Sequence, residues 1–317
     1  MSNCSSINQA KQAFKHTPAL LAALQAHIQQ HALPATFITT LQNYYMPLAE
    51  QIYQQSQITG QTSVIGINGA QGTGKSTLSS FLKLILEQVY GCAVVQFSID
   101  DLYHTHAKRQ QLAREVHPLL QTRGVPGTHD VNLGIALLET LSTATASTKV
   151  FIPYFDKAID DRAPREQWSL HQGKVDIILF EGWCVATPAQ AESALKQALN
   201  ALEANEDPHA IWRNYVNLQL QQSYLALFSP IEYLIMLKAP SFECIYQWRS
   251  LQEHKLAQKQ DSRNHNLKIM NKNQLQRFIM HYERLTRFNL QVLPEQAQVV
   301  IELDDKHQIT DLKYLQQ

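Results

Sequence analysis

Cysteine is scarce in this chain of 317 residues, and its four copies, Cys4, Cys92, Cys184 and Cys244, form no C-x-x-C pair and no metal-type spacing. Cys92 and Cys184 lie in or beside apolar strands, where they read as reduced core thiols. No apolar run approaches the roughly 18 residues that a bilayer span requires. The first residues, MSNCSSINQAKQAF, lack the apolar core of a signal peptide. Charge of one sign is missing as well: 27 Lys and Arg balance 27 Asp and Glu. No net field therefore draws the chain onto nucleic acid or an anionic membrane, and no basic patch interleaved with aromatics suggests a nucleic-acid partner. No internal repeat or low-complexity segment is present. What remains is a chain 44% hydrophobic and 17% charged, expected to be soluble and cytoplasmic with no membrane partner. Its oligomeric state has no signature in the sequence.

Against this background Val64 to Ser80 stands out. The apolar run Val64-Ile65-Gly66-Ile67 reads as a buried strand, and Leu78, Phe81, Leu82 and Ile85 fall at helical spacing. Between them lie Gly69, Ala70, Gln71, Gly72, Thr73, Gly74, Lys75, Ser76 and Thr77, which fit G-x-x-x-x-G-K-[ST] with a strand before and a helix after. Glycines let backbone N–H groups turn inward, and the start of a helix adds unpaired N–H groups and a positive dipole end. The segment is a cradle for the phosphates of ATP or GTP. Lys75 is positioned for the β/γ-phosphates and the Ser76 hydroxyl for Mg²⁺.

Residues 1–60 read as a helical N-terminal extension, its second helix interrupted near Pro47, and 61–317 as the nucleotide domain. Ala93 to Ile99 reads as a second strand ending at Asp100-Asp101-Leu102-Tyr103. Such a strand end faces the phosphate loop in a doubly wound sheet. One of the two carboxylates is a candidate proton acceptor or metal holder, the lesser alternative being that the pair caps the next helix. Residues 104–122 read as a polar helical surface, with His104 and His106 as an H-x-H pair lacking further ligands. Arg123 to Asp130 is a Gly/Pro loop with an Arg, a His and an Asp able to meet a small substrate. Tyr154 to Arg162 is dense in charge, and Lys174 to Trp183 is a third strand, ending at Glu181. An acidic residue there suits a position near Mg²⁺. Glu203 to Asp207 reads as an acidic loop, Tyr233 to Lys238 as a fourth strand and Val299 to Leu303 as a last one. Arg249 and Lys255 are lid candidates that equally fit a solvated helix face, and the segment 257–268 reads as polar and mobile. Strands alternating with helices give an α/β three-layer sandwich with a mainly parallel sheet.

The order GAQGTGKST, SIDDLY, PYFDKAIDDR, FEGW resembles the phosphoribulokinase, uridine kinase and pantothenate kinase group of P-loop kinases. RGVPGTHD, EGWCV, YQWRSLQE and FIMHYERLT narrow the resemblance to the D-glycerate 3-kinase family, over about Val64 to Asp304. The resemblance implies transfer of the ATP γ-phosphoryl to the 3-hydroxyl of D-glycerate with Mg²⁺. It assigns Asp100 as base, Asp101 and Tyr103 to the acceptor site, and Glu181 to the neighbourhood of the metal. Phe155, Asp160 and Arg162 fall where uridine kinases carry Tyr, His and Arg against the acceptor, and Asp160 in place of His argues against a nucleoside. Arg123, Lys157 and Arg162 suit a small anionic acceptor, whose carboxylate an Arg grips bidentately. The expected catalytic set is Asp100, Lys75 and Arg162, with Asp130 among the acceptor contacts and Arg249 as the lid cation. Two other readings stand beside it: the same chemistry on another hydroxylated acceptor (pantothenate-, sugar- or nucleoside-like), and an ATP-binding regulatory protein without transfer.

Overall fold

A computed structural model describes residues 18–259 and 271–315, the side chains of Thr59 and of residues 252–259 excepted. Ten strands are present among the described residues: β1 Ser63–Gly69, β2 Val94–Ser98, β3 Lys149–Ile152, β4 Phe155–Asp156, β5 Asp161–Arg162, β6 Ser169–Gln172, β7 Ile177–Gly182, β8 Ile231–Lys238, β9 Val299–Leu303 and β10 Ile309–Tyr314. Six of them form one sheet in the order β10-β9-β8-β1-β7-β2. Five run parallel, and β10 closes the edge antiparallel to β9.

β1 is buried along its whole length, as its unbroken apolar run requires of a central strand covered on both faces. Alternation then sorts its neighbours between two cores. Ile65, Ile67, Ile177 and Leu179 pack with Phe81 and Leu82 of the helix Lys75–Tyr90 on one face. Val64, Phe97, Ile178 and Phe180 pack with Leu138 and Tyr224 on the other. The result is the α/β three-layer sandwich with a mainly parallel sheet that the sequence pattern implies. From β1 the chain crosses to β2 and β7 on one side, then to β8 on the other. The carboxyl end of β1 is therefore the topological switch point, where such sheets bind ligands.

The N-terminal helices Pro18–Gln30 and Met46–Thr59 bury Leu20, Leu24, Ile28, Leu48 and Ile52 in the same core as Ile65 and Phe81. Pro47 leaves its mark upstream of itself. The chain runs through a π-turn, Leu41–Tyr45, before the α-helix resumes with Pro47 in its first turn. Widening the turn there relieves the clash between a proline ring and the carbonyl four residues back.

Two segments depart from the sequence expectations. The helix His106–Glu115 is not simply a solvated surface, because Arg109 is fully buried. The acidic stretch is no solvated loop: Glu203 is completely buried and receives Arg284 through two hydrogen bonds, 2.7 and 2.6 Å. Asp207 is likewise buried and pairs with Arg213 at 2.9 Å. Val150 lies in β3, which pairs with β6 in a ribbon separate from the main sheet. β10, a short edge strand with four of its six residues exposed, carries too weak an apolar alternation to be read beforehand. No helix among the described residues is long and apolar enough to cross a membrane.

Candidate active site

The phosphate loop is held by its own backbone. Gly74 precedes the helix Lys75–Tyr90 at φ 94°, a left-handed conformation that glycine adopts without strain. At Gly69 the constraint is space: a Cβ there would lie 2.7 Å from Thr73 Oγ1. Thr73 Oγ1 and Lys75 Nζ both donate to the carbonyl of Ala70, at 2.8 and 3.0 Å, so the lysine lies across the loop it serves. His307, in the turn between β9 and β10, donates from Nε2 to Gly72 O at 2.8 Å and stacks on Trp248 at 3.8 Å. Burial holds the Lys75 ammonium below the usual lysine range, an effect partly offset by Glu181 and Asp100.

β7 brings Glu181 alongside Ile67 of β1 and Ser98 of β2. The Ser76 hydroxyl donates to Glu181 Oε1 at 2.7 Å, and this carboxylate is only 7% exposed. A buried carboxylate meeting a hydroxyl at the mouth of a phosphate loop is a hard-oxygen donor set that fits Mg²⁺. Among the described residues no group of three or more His, Cys, Asp and Glu side chains could hold a metal by itself. His104 and His106 therefore gain no third ligand.

The opposite wall starts where β2 ends. Ser98 caps the turn Ile99–Leu102, and Asp101 Oδ2 accepts in return from Ser98 N at 3.1 Å, a capping box that fixes the two carboxylates in different roles. Asp100 projects forward, accepting from Lys157 Nζ at 2.7 Å and from the Tyr103 hydroxyl at 3.1 Å. Burial would raise the Asp100 carboxyl, but Lys157, His129 and Lys75 outweigh it and hold the group below its ordinary value. For Lys157 burial works downward and the Asp100 pair wins, placing the ammonium above its ordinary value. Asp101 behaves oppositely to its neighbour: burial pushes it up to about 6, against the pull of the Ser98 and Phe155 amides.

Phosphate loop and carboxylates share one cleft of about 790 Å³. Of the residues expected at the site, Gln71, Gly72, Lys75, Ser76, Asp100, Asp101, Tyr103, Arg123, Phe155, Lys157, Glu181 and Arg249 line it. Asp130, Asp160 and Arg162 do not line it. Asp130 caps the helix Val131–Ser142 and receives Arg162 at 3.1 Å, and Arg162 also donates to Tyr103 O at 3.0 Å. Asp160 pairs with Arg123 and Arg109. The remaining loop positions, Thr73, Gly74 and Thr77, line a second cleft of about 740 Å³ on the far side of the phosphate loop. Its other walls are Phe37 and Tyr45 from the N-terminal segment and His307 to Ile309. Gly69 and Ala70 shape the loop from beneath. The side chain of Lys255, and residues 260–268 of the polar segment, lie outside the described residues.

Sequence reasoning left Trp183 and Tyr282 without roles, although both stand in quoted motifs. Both line the cleft and meet edge to face at 4.8 Å. Trp183 Nε1 donates to Gly124 O at 3.0 Å and the Tyr282 hydroxyl to Arg123 O at 3.1 Å, so the two rings hold the loop that carries Arg123. Gly124 has φ 151°, and a Cβ on it would collide with the Tyr282 hydroxyl.

The two carboxylates give a pH prediction. With Asp101 near 6 in the folded protein against 3.8 ordinarily, the native state binds a proton that the unfolded chain does not. That contribution to stability is full below the unfolded value and is lost as pH rises through about 6. Thermal melts should therefore show wild type gaining stability relative to Asp101→Asn as pH falls from about 7.5 to about 5. Parallel profiles would remove the assignment.

Fold and cleft together define a P-loop kinase: a phosphate cradle at the switch point of a parallel sheet, facing a carboxylate–lysine pair. A kinase of Schizosaccharomyces pombe without a characterized activity is 34% identical over 237 residues, 72% of this chain and 81% of that relative. The chloroplastic D-glycerate 3-kinase of Arabidopsis thaliana is 30% identical over 244 residues, 70% of this chain, which spans about half (49%) of the plant enzyme's length. The structure of D-glycerate 3-kinase from Cryptococcus neoformans shares the fold, with a TM-score of 0.70 at 21% identity, covering 86% of this chain and 99% of that one. No protein-family model matches the chain. The chain belongs to the family of P-loop kinases that includes these D-glycerate 3-kinases.

Proposed function

We propose that this protein is an ATP- and Mg²⁺-dependent kinase that phosphorylates the 3-hydroxyl of D-glycerate, giving 3-phosphoglycerate and ADP. The observation that carries the reading is the pairing of Asp100 with Lys157 across a cleft whose other end is the phosphate loop. A carboxylate able to take a hydroxyl proton stands beside cations able to hold a small acid, with Arg123 and Arg249 on the same walls. The similarity to the plant D-glycerate 3-kinase points the same way.

In this reading the nucleoside occupies the second cleft and the γ-phosphate points into the first. Ser76 and Glu181 would hold Mg²⁺, which would supply positive charge against the phosphates. Lys75 neutralises the phosphoryl oxygens from the loop side. Asp100 orients the acceptor hydroxyl and takes its proton, while Lys157 and Arg123 grip the carboxylate. Tyr103 and Phe155 wall the acceptor. Arg162 acts from behind, holding the Tyr103 backbone and Asp130.

The test is ADP release with Mg-ATP against D-glycerate, L-glycerate, pantothenate, uridine and ribulose 5-phosphate. Stimulation by D-glycerate alone, with 3-phosphoglycerate formed, is the expected result. Stimulation by another acceptor keeps the kinase and discards the substrate. ATP binding with silence across the panel favours an acceptor outside the panel or the regulatory reading.

A further inference from the structure

Arg109 is the largest fully buried side chain among the described residues, and none of the motifs above includes it. Burying a guanidinium is costly unless its donors are met. Here they meet three separate segments. Nε donates to His104 O at 3.2 Å, just beyond Tyr103. One terminal nitrogen donates to Gln121 O at 2.8 Å, in the turn leading to Arg123. The other donates to Asp160 O at 2.6 Å, between β4 and β5, and pairs with the Asp160 carboxylate at 3.0 Å. The second oxygen of that carboxylate holds Arg123, whose side chain is 27% exposed and lines the cleft. Asp160 itself sits at φ 56°, a left-handed conformation in which an Asp is tolerated when its surroundings fix it.

The charge count is the point. Asp160 carries one negative charge between two arginines. With Arg109 in place, the carboxylate stays neutralised when Arg123 turns toward a ligand. Without Arg109, Asp160 would hold Arg123 as its sole counter-ion, and the cleft would lose a cation. We propose that Arg109 is a positioning residue that keeps Asp160 occupied and thereby leaves Arg123 available to the anionic group of the acceptor. This rests on the reading of the acceptor as a small anion, and it extends that reading to a residue outside the cleft.

The test combines kinetics with an acceptor-independent readout. Arg109→Gln should raise KM for the anionic acceptor about tenfold, the scale of one charge-assisted hydrogen bond, with KM for ATP unchanged and kcat altered less than about threefold. Adding Asp160→Asn should bring the acceptor KM back toward wild type, because the competing charge is gone. Losses that the second substitution leaves in place would mark Arg109 as merely structural and overturn the proposal. Asp160→Asn alone, at a residue 40% exposed on its side chain, should lower the acceptor KM, and a tenfold rise would overturn it too. In the absence of any acceptor, phenylglyoxal labelling of Arg123, followed by mass spectrometry, should slow about fivefold in Arg109→Gln and recover in the double variant, as expected for coupled neighbours. Labelling that ignores Arg109 refutes the proposal even if D-glycerate is turned over. Labelling that follows the pattern sustains it even if D-glycerate proves to be the wrong acid.

Discussion

Lys75→Ala lowers acceptor-dependent ADP formation by at least about 10³-fold, the scale on which a single well-placed cation acts in phosphoryl transfer. The reaction offers a protein little covalent work, so catalysis is positioning and charge neutralisation. Lys75 is tethered for that work: its ammonium crosses the loop to Ala70 O at 3.0 Å, and the fields of Glu181 and Asp100 oppose the loss of its proton. Alanine leaves the helix Lys75–Tyr90 its N-terminal amides, so nucleotide binding weakens less than turnover. Lys75→Arg does not restore the rate, because a planar fork with a longer reach does not replace a compact ammonium in a loop this tight. A coupled ADP assay, with Kd for ATP measured separately, checks both statements. A variant retaining more than about a tenth of wild-type turnover would remove Lys75 from the transition state.

Much of this site could be read from the chain because local rules fixed it. The phosphate loop needs a strand, glycines and a helix start in strict sequence, and all three are visible in Val64 to Ser80. Asp100 and Glu181 follow from strands whose apolar runs end where the polar residues begin. Long-range packing is what stayed hidden. Arg162 and Arg123 look alike in sequence, yet Tyr282 and Trp183 hold the Arg123 and Gly124 carbonyls at the cleft, whereas Asp130 draws Arg162 behind Tyr103. Arg109 reads as part of a polar helical surface and Glu203 as part of an acidic loop because charged side chains are normally solvated, and only a partner distant in sequence makes their burial possible. The second cleft was illegible for the same reason, since its walls come from residues 33–45 and 301–309.

Asp100→Asn separates the two acidic neighbours by function. The substitution keeps the shape of the side chain and an oxygen for the Tyr103 hydroxyl, 3.1 Å away, but removes the ability to take a proton. We expect kcat to fall by on the order of 10² or more, with KM for ATP near wild type, as for loss of a general base. The pH profile gives the sharper check. Lys157, His129 and Lys75 together hold the Asp100 carboxyl below its ordinary value despite its burial, so the working, ionised form persists from neutral pH down into the carboxylate range. In wild type kcat/KM should therefore stay level with falling pH until below about 5 and only then drop, and Asp100→Asn should lack that acid limb. An acid limb centred near 6 instead would belong to Asp101, whose carboxyl sits there, and would transfer the role of base from the residue that faces the cleft to the one that closes the capping box.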